Sequence, residues 1–323
     1  MIKKVKCQFD CYKYRLEIKK DRTQNYLNIG GVDYFAFYLD PKQPRNKGAH
    51  SYVFALYEAQ EEIDEPTKVI KISKVADYLE EDGSISENED NKRFRNEVEA
   101  LNNCKGRNFQ NVIEIDQEGE LVCMDKHSQK KICFPFYTMD YAECDLTKFF
   151  RENEVGISQK IELCISLSSG LQELYGMGYY HRDLKPDNIF MMDGSWKIGD
   201  LGLVATRDSD DDYENEYIGP RGWTTPEAMN KYLTEGNPKL NFDYSIDHQS
   251  DIFQLGMIFW FIIQGNAPIG CIKERDFLGR NSELFSLIRT MLNHTKSRRY
   301  ANIGEVITNL KRISDRINTV RIK

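Results

Sequence analysis

Strand-like patterning fills the first part of the chain, and helical periodicity fills the second. Short runs rich in aromatic and β-branched residues occur at 34–39 (YFAFYL), 51–57 (SYVFALY), 68–73 (KVIKIS), 111–115 (NVIEI) and 132–139 (ICFPFYTM). They predict β-strands, with 51–57 and 68–73 in one antiparallel sheet. The Pro- and Gly-rich stretch 40–48 (DPKQPRNKG) predicts a loop. Residues 93–104 (RFRNEVEALNNC) have a helical period, and the acidic stretch 79–90 before them reads as a solvated, mobile surface insert. Residues 1–30, basic and aromatic, carry no pattern that places them. Beyond Asp145, the apolar residues Ile161, Cys164, Ile165, Leu171 and Leu174 recur at helical spacing. Further helices are predicted over 250–264, along Leu284, Leu287, Ile288, Met291 and Leu292, and along Val306, Leu310, Ile313 and Ile317. Strands first and helices second predict an α+β fold of two lobes joined near 141–145. The expected division is an N-terminal extension over 1–32, a small lobe with an antiparallel sheet and one helix over 33–141, and a larger, mainly helical lobe over 142–323.

Composition narrows the function classes. The 323 residues are 40% hydrophobic and 29% charged, ordinary for a soluble globular protein. A formal charge of −7 argues against nucleic-acid binding driven by overall charge, so any phosphate site must be local. The most apolar run, 257–263 (MIFWFII), is too short to span a bilayer and reads as a buried helix. The N-terminal MIKKVKCQFD lacks the apolar core of a secretory signal. The eight cysteines are scattered without zinc-type spacing and are expected to be reduced thiols in a cytoplasmic protein. No membrane partner is expected, and the oligomeric state is not encoded in any pattern.

The chemistry is concentrated at 181–188 (HRDLKPDN) and 199–202 (GDLG). Asp183 can accept the proton of an attacking hydroxyl. Lys185 can offset charge on a transferring phosphoryl group. Asn188 supplies a neutral oxygen and Asp200 a charged one, a donor set suited to Mg²⁺. Phosphoryl transfer needs positioning and charge stabilisation more than covalent help, and these four residues provide both.

Together these segments resemble eukaryotic-type Ser/Thr protein kinases over about residues 40–317, which implies a bilobal protein-kinase-like fold, ATP with Mg²⁺ or Mn²⁺, and a protein substrate with a Ser or Thr acceptor. The resemblance implies a metal role for Asp200 in DLG. It implies that Glu227 in TPE pairs with Arg299 in KSRRY, and that Asp251 in SDIFQLG braces the catalytic loop. Lys71 matches the lysine that holds the α- and β-phosphates, and Glu97 the glutamate that pairs with it. Met139 corresponds to the gatekeeper. The backbone of Asp140 and Ala142 would meet adenine, and Asp145 the ribose.

Two segments depart from the family pattern. The phosphate-covering loop, aligned to end at Val53, has Asn46, Gly48 and Ser51 where the family has three glycines. Gly30 and Gly31 lie too far from Lys71 to serve instead. Pro220 replaces a family threonine that hydrogen-bonds the catalytic Asp and Lys, although Lys185 still favours Ser/Thr over Tyr. Within the activation segment, residues 200–227, Thr206, Ser209, Tyr213 and Tyr217 are candidate phosphosites that would answer to Arg182. Equally, the acidic centre RDSDDDYENEY (207–217) can fill that role unmodified, or form a disordered loop. The competing functions are a pseudokinase scaffold that binds nucleotide with little turnover, and a small-molecule kinase of related fold.

Overall fold

The computed structural model describes residues 3–40, 50–60, 65–206, 212, 216–235, 237, 239–240 and 242–321. It is α+β, and the chain divides into two units: Met1–Lys105 with Glu114–Tyr141, and Gly106–Ile113 with Ala142–Lys323.

The first unit contains β1 (Lys4–Lys6), β2 (Asp10–Tyr12), β3 (Arg15–Glu17), β4 (Tyr26–Ile29), β5 (Val32–Tyr38), β6 (Ser51–Glu58), β7 (Lys68–Ser73), β8 (Asp77–Leu79), β9 (Ile85–Ser86), α1 (Lys92–Cys104), β10 (Glu118–Met124) and β11 (Lys131–Asp140). One mixed sheet runs β1-β10-β11-β7-β6-β5-β4, with β8 paired to β11 and β9 to β8. Its two end strands meet: Cys7 bridges Leu27, and the Gln8 N–H donates to the Tyr26 carbonyl. The sheet thus closes on itself around Val5, Leu27, Ala36, Leu56, Ile70, Ile72, Leu121 and Phe136. Alternation then sends Val53, Lys71 and Tyr137, which share one row across β6, β7 and β11, to the opposite face.

The N-terminal residues, unplaced by pattern, supply four of these strands. Strands of three or four residues are too short to show a period. Gly30 and Gly31, with φ of 62° and 92°, make the two-residue hairpin turn between β4 and β5. At β10, a Cβ on Gly119 would lie 2.5 Å from the Lys3 carbonyl oxygen, so this glycine lets β1 dock.

One local expectation is corrected and one gains detail. Residues 111–115 do not form a strand. They make one bridge, Val112 to Ile198, flanked by hydrogen bonds from Ile113 N–H to Ile198 O and from Ile198 N–H to Asn111 O. The strand lies later, at β10, where Glu120 stands in a buried position against Arg95 and disguises the alternation. The acidic stretch 79–90 is largely exposed, as expected, and carries a turn. Asp82 accepts from the Ser84 N–H and hydroxyl to form the β8–β9 turn. Buried Asp77 accepts from the Asn88 N–H, the Asn91 amide and the Arg95 guanidinium.

The second unit contains β12 (Cys144–Asp145), α2 (Leu146–Glu152), α3 (Ile157–Gly176), β13 (Tyr179–Tyr180), β14 (Ile189–Met192), β15 (Ser195–Ile198), β16 (Ala205–Thr206), α4 (Pro226–Thr234), α5 (His248–Gln264), α6 (Ser282–Met291) and α7 (Ile303–Arg321). Strands β12, β14 and β15 form a small antiparallel sheet, and β13 pairs with β16. Helix α5 is the centre of the unit, since every residue from 250 to 260 is buried. Ser250, Asp251 and Gln254 are its buried polar exceptions, and such groups need partners.

Candidate functional site

Ser250 turns to Glu227, while partners of Asp251 and Gln254 lie on the loop that follows β13. Asp251 accepts the N–H of His181 on one oxygen (2.8 Å) and the N–H of Arg182 on the other (2.7 Å). Gln254 accepts the Leu184 N–H at 3.0 Å and donates to the Arg182 carbonyl at 3.2 Å. Arg182 is thereby held at φ 69°, a left-handed conformation unfavourable for a side-chain-bearing residue. The buried His181 ring meets the Gly199 carbonyl at 3.1 Å, tying this loop to the segment that carries Asp200. Asp200 is also left-handed, at φ 61°. The two left-handed residues, Arg182 and Asp200, thus lie on the two segments that the His181–Gly199 contact joins.

The braced loop brings three of the sequence-predicted residues together. Lys185 Nζ lies 2.9 Å from Asp183 Oδ2, and the Asn188 amide nitrogen donates to the same oxygen at 2.9 Å and to the Asp183 carbonyl. Burial raises the Asp183 carboxyl above its usual range, Lys185 pulls it back, and the charge of Asp200 adds to the rise. Asp200 therefore stands close enough to Asp183 for their charges to interact. Because the Asn188 nitrogen is committed to Asp183, its amide oxygen is the atom that faces away. That orientation, with the Asp200 carboxylate, is a hard-oxygen set that fits a Mg²⁺-type cation.

Downstream, Asp212 forms a buried ion pair with Arg182 and lies 3.4 Å from Lys231 on α4. Among the described residues, the acidic segment thus places the Asp212 carboxylate against the loop arginine. Thr206 is exposed on β16, and the Tyr217 hydroxyl meets that of Thr224. Ser209 and Tyr213 lie outside the described residues. Pro220 offers its carbonyl to the Thr224 hydroxyl at 3.0 Å. Arg299 and Glu227 form a fully buried pair at 2.5 Å, and Asn293 and Gln249 carbonyls take further guanidinium hydrogens.

In the first unit, Lys71 Nζ meets both Glu97 oxygens, at 2.7 and 2.9 Å. The Tyr137 hydroxyl donates to Glu97 at 2.9 Å, and the Lys71 ammonium lies 5.8 Å from the Tyr137 ring centre. Val53 is the cross-strand neighbour of Lys71, and Ser51 that of Ser73. Met139 and Asp140 end β11, the Asp140 carboxylate 2.9 Å from Lys68. Ala142 is half-buried just beyond. Asp145, in the second unit, spends one oxygen capping α2 through the Lys148 N–H at 2.7 Å. Gly48 lies outside the described residues. Gln254, Tyr137 and Lys231 were not singled out by sequence, and His181 only as the first residue of the 181–188 segment, without a role. Only Gln254 carried a signal, as a polar residue inside the apolar run of α5.

A sequence model described as the protein kinase domain matches residues 47–316. Among curated proteins, the chain is similar to cyclin-dependent kinase F-3 of Oryza sativa, 30% identical over 41% of this chain and 28% of that one. It is 26% identical to the RAF proto-oncogene serine/threonine-protein kinase of Xenopus laevis over 57% of this chain and 26% of that one. It is 27% identical to the serine/threonine-protein kinase pakA of Talaromyces marneffei over 54% and 23%. The chain spans about a quarter of the length of these relatives.

Proposed function

The chain belongs to the protein kinase domain family, and on that premise we propose that it is an active Ser/Thr kinase, transferring the γ-phosphate of ATP to protein hydroxyls, its own included. The observation that carries this reading is the Asp183 carboxylate, held by Lys185 and Asn188 on a loop that α5 braces at three backbone N–H groups. Asp183 accepts the proton of the attacking Ser or Thr hydroxyl, and the rise of its carboxyl by burial makes it a stronger base. Lys185 offsets charge on the transferring group. Asn188 and Asp200 hold Mg²⁺ or Mn²⁺, which supplies neutralisation of phosphate charge when bound.

On the nucleotide side, Lys71, aligned by Glu97 and Tyr137, holds the α- and β-phosphates. Gly48, Ser51 and Val53 belong to the segment that covers them. Met139 is the gatekeeper, the backbone of Asp140 and Ala142 meets adenine, and the Asp145 oxygen not used by the cap meets the ribose. Residues 33–141, apart from Gly106–Ile113, which group with the second unit, and residues 142–323 correspond to the small and large lobes of a bilobal kinase fold, with 1–32 an addition to the small lobe. The site of action is the cytoplasm; among the described residues no helix is long and apolar enough to cross a membrane.

The test is incubation of the purified chain with Mg²⁺ and γ-labelled ATP beside Asp183→Asn, followed by mass mapping. Label on Ser or Thr in the wild type and none in the variant is the expected result. Equal label in Asp183→Asn removes the assigned role of Asp183. ATP binding without label in the wild type replaces the reading with a nucleotide-binding scaffold.

A further inference from the structure

Four of the cysteines lie on or beside strands of the first unit: Cys7 just past β1, Cys11 on β2, Cys123 on β10 and Cys133 on β11. Strands β1 and β10 run parallel, with Val5 beside Leu121 and Lys6 beside Val122, so the next step sets Cys7 beside Cys123. Their sulfurs are 3.0 Å apart. Cys7 also bridges Leu27 of β4, so the pair sits at the seam where the sheet closes. Neighbouring strands lie about 4.8 Å apart, within the roughly 4.4–6.8 Å Cα separation a disulfide spans. Bond formation needs the sulfurs to close to about 2.04 Å, a movement that side-chain rotation supplies.

The two thiols are also distinct from their neighbours. Cys7 is half-buried and Cys123 buried. The hydrogen bond that Cys7 shares with Cys123 holds Cys7 below the ordinary thiol range. Burial pushes Cys11 and Cys133 up to about 12. Cys11 is engaged with Asp125 at 3.8 Å and Cys133 with the Asp77 carbonyl at 3.9 Å.

We propose that Cys7 and Cys123 are a reversible dithiol–disulfide pair, oxidised by hydroperoxides, whose bond staples β1 to its neighbour β10 beside the seam of the sheet. The Cys7 thiolate attacks one peroxide oxygen; the O–O bond breaks, and the leaving hydroxide takes up the proton Cys7 released. Cys7 then carries S–OH. The Cys123 thiol gives up its proton as its sulfur attacks Cys7, the S–O bond breaks, and hydroxide leaves as water with that proton. Two thiols lose two electrons in total, and hydrogen peroxide becomes two waters. An external dithiol reverses the bond by exchange.

The test treats the full-length chain with hydrogen peroxide, alkylates the remaining thiols and maps peptides without reduction. A Cys7–Cys123 cross-linked peptide that disappears with dithiothreitol is expected. The cross-link closes most of the first unit into one loop, so the wild-type thermal midpoint should rise by several degrees, on the order of 5 °C. Cys7→Ala and Cys123→Ser should show neither cross-link nor rise. The wild-type map decides the matter even where a variant fails to fold. Recovery of Cys7 and Cys123 both alkylated, oxidation confined to the exposed Cys271, or Cys7 joined to Cys11 would each overturn the proposal.

Discussion

Asp251→Asn isolates what α5 contributes to the catalytic loop. The wild-type carboxylate accepts two backbone N–H groups, one on each oxygen, in a site with no solvent exposure. Asparagine has one oxygen. The second N–H, from His181 or Arg182, then faces an amide NH₂ and is left buried without an acceptor, which costs about 1–3 kcal/mol. The remaining bond loses its charge assistance, roughly half its strength. Part of this is returned, because burial already disfavours the ionised Asp251 and raises its carboxyl. The net loss is about 2–4 kcal/mol, read as a fall in thermal midpoint of about 4–8 °C. The kinetic effect is larger in proportion. Arg182 at φ 69° is held from both sides, its N–H by Asp251 and its carbonyl by Gln254. Released at one side, the loop relaxes and Asp183 moves with it, and a displacement of about 1 Å lowers transfer about 100-fold. The assay is phosphotransfer from labelled ATP, with thermal melts of the same preparations. A variant that melts within a degree of wild type and keeps more than half its rate refutes the bracing argument.

Three further outcomes are expected. Glu120, buried with one oxygen lacking a partner among the described residues, is raised by burial from 4.5 to about 7; the folded state therefore binds its proton more tightly, and stability falls by about 3 kcal/mol as pH rises from 4.5 through 7. Melts of Glu120→Gln between pH 5 and 8 should lose this slope, and an unchanged slope excludes Glu120 as its source. Asp212→Ala leaves Arg182 buried without its carboxylate and should cost about 3 kcal/mol and most of the transfer rate, whereas Thr206→Ala should change neither; wild-type melting and turnover in Asp212→Ala would mean that the pair holds nothing in place. Asp200→Ala should abolish the Mg²⁺-dependent part of stabilisation by ATP in a thermal-shift titration, and a full response to Mg²⁺ would assign the charged ligand elsewhere.

How much was legible depends on how local each feature is. Lys71 and Glu97 were paired from motif resemblance, and they meet in one bidentate contact. The same reading had no means of finding Tyr137, because nothing in a strand's sequence says which cross-strand hydroxyl will reach a carboxylate on a helix. The misplaced strand at 111–115 fails for a related reason. An apolar alternation reports burial, and Val112 and Ile113 are buried, but only a partner strand decides whether a ladder forms.

The chain by itself determined which groups stand together on the loop at 181–188, because Asp183, Lys185 and Asn188 fall within eight consecutive residues whose separations are set by covalent geometry. It determined the apolar helices, whose period repeats over enough residues to be read. Tertiary structure alone decided which distant groups hold that loop, with Asp251 and Gln254 about seventy residues away supplying its acceptors. It alone decided that Asp212 is the acidic residue against Arg182, and that the N-terminal strands close the sheet and bring Cys7 to Cys123. These are choices of partner between short segments far apart in the chain. Such choices follow from shared burial and hydrogen-bond satisfaction across the fold, and no local pattern carries them.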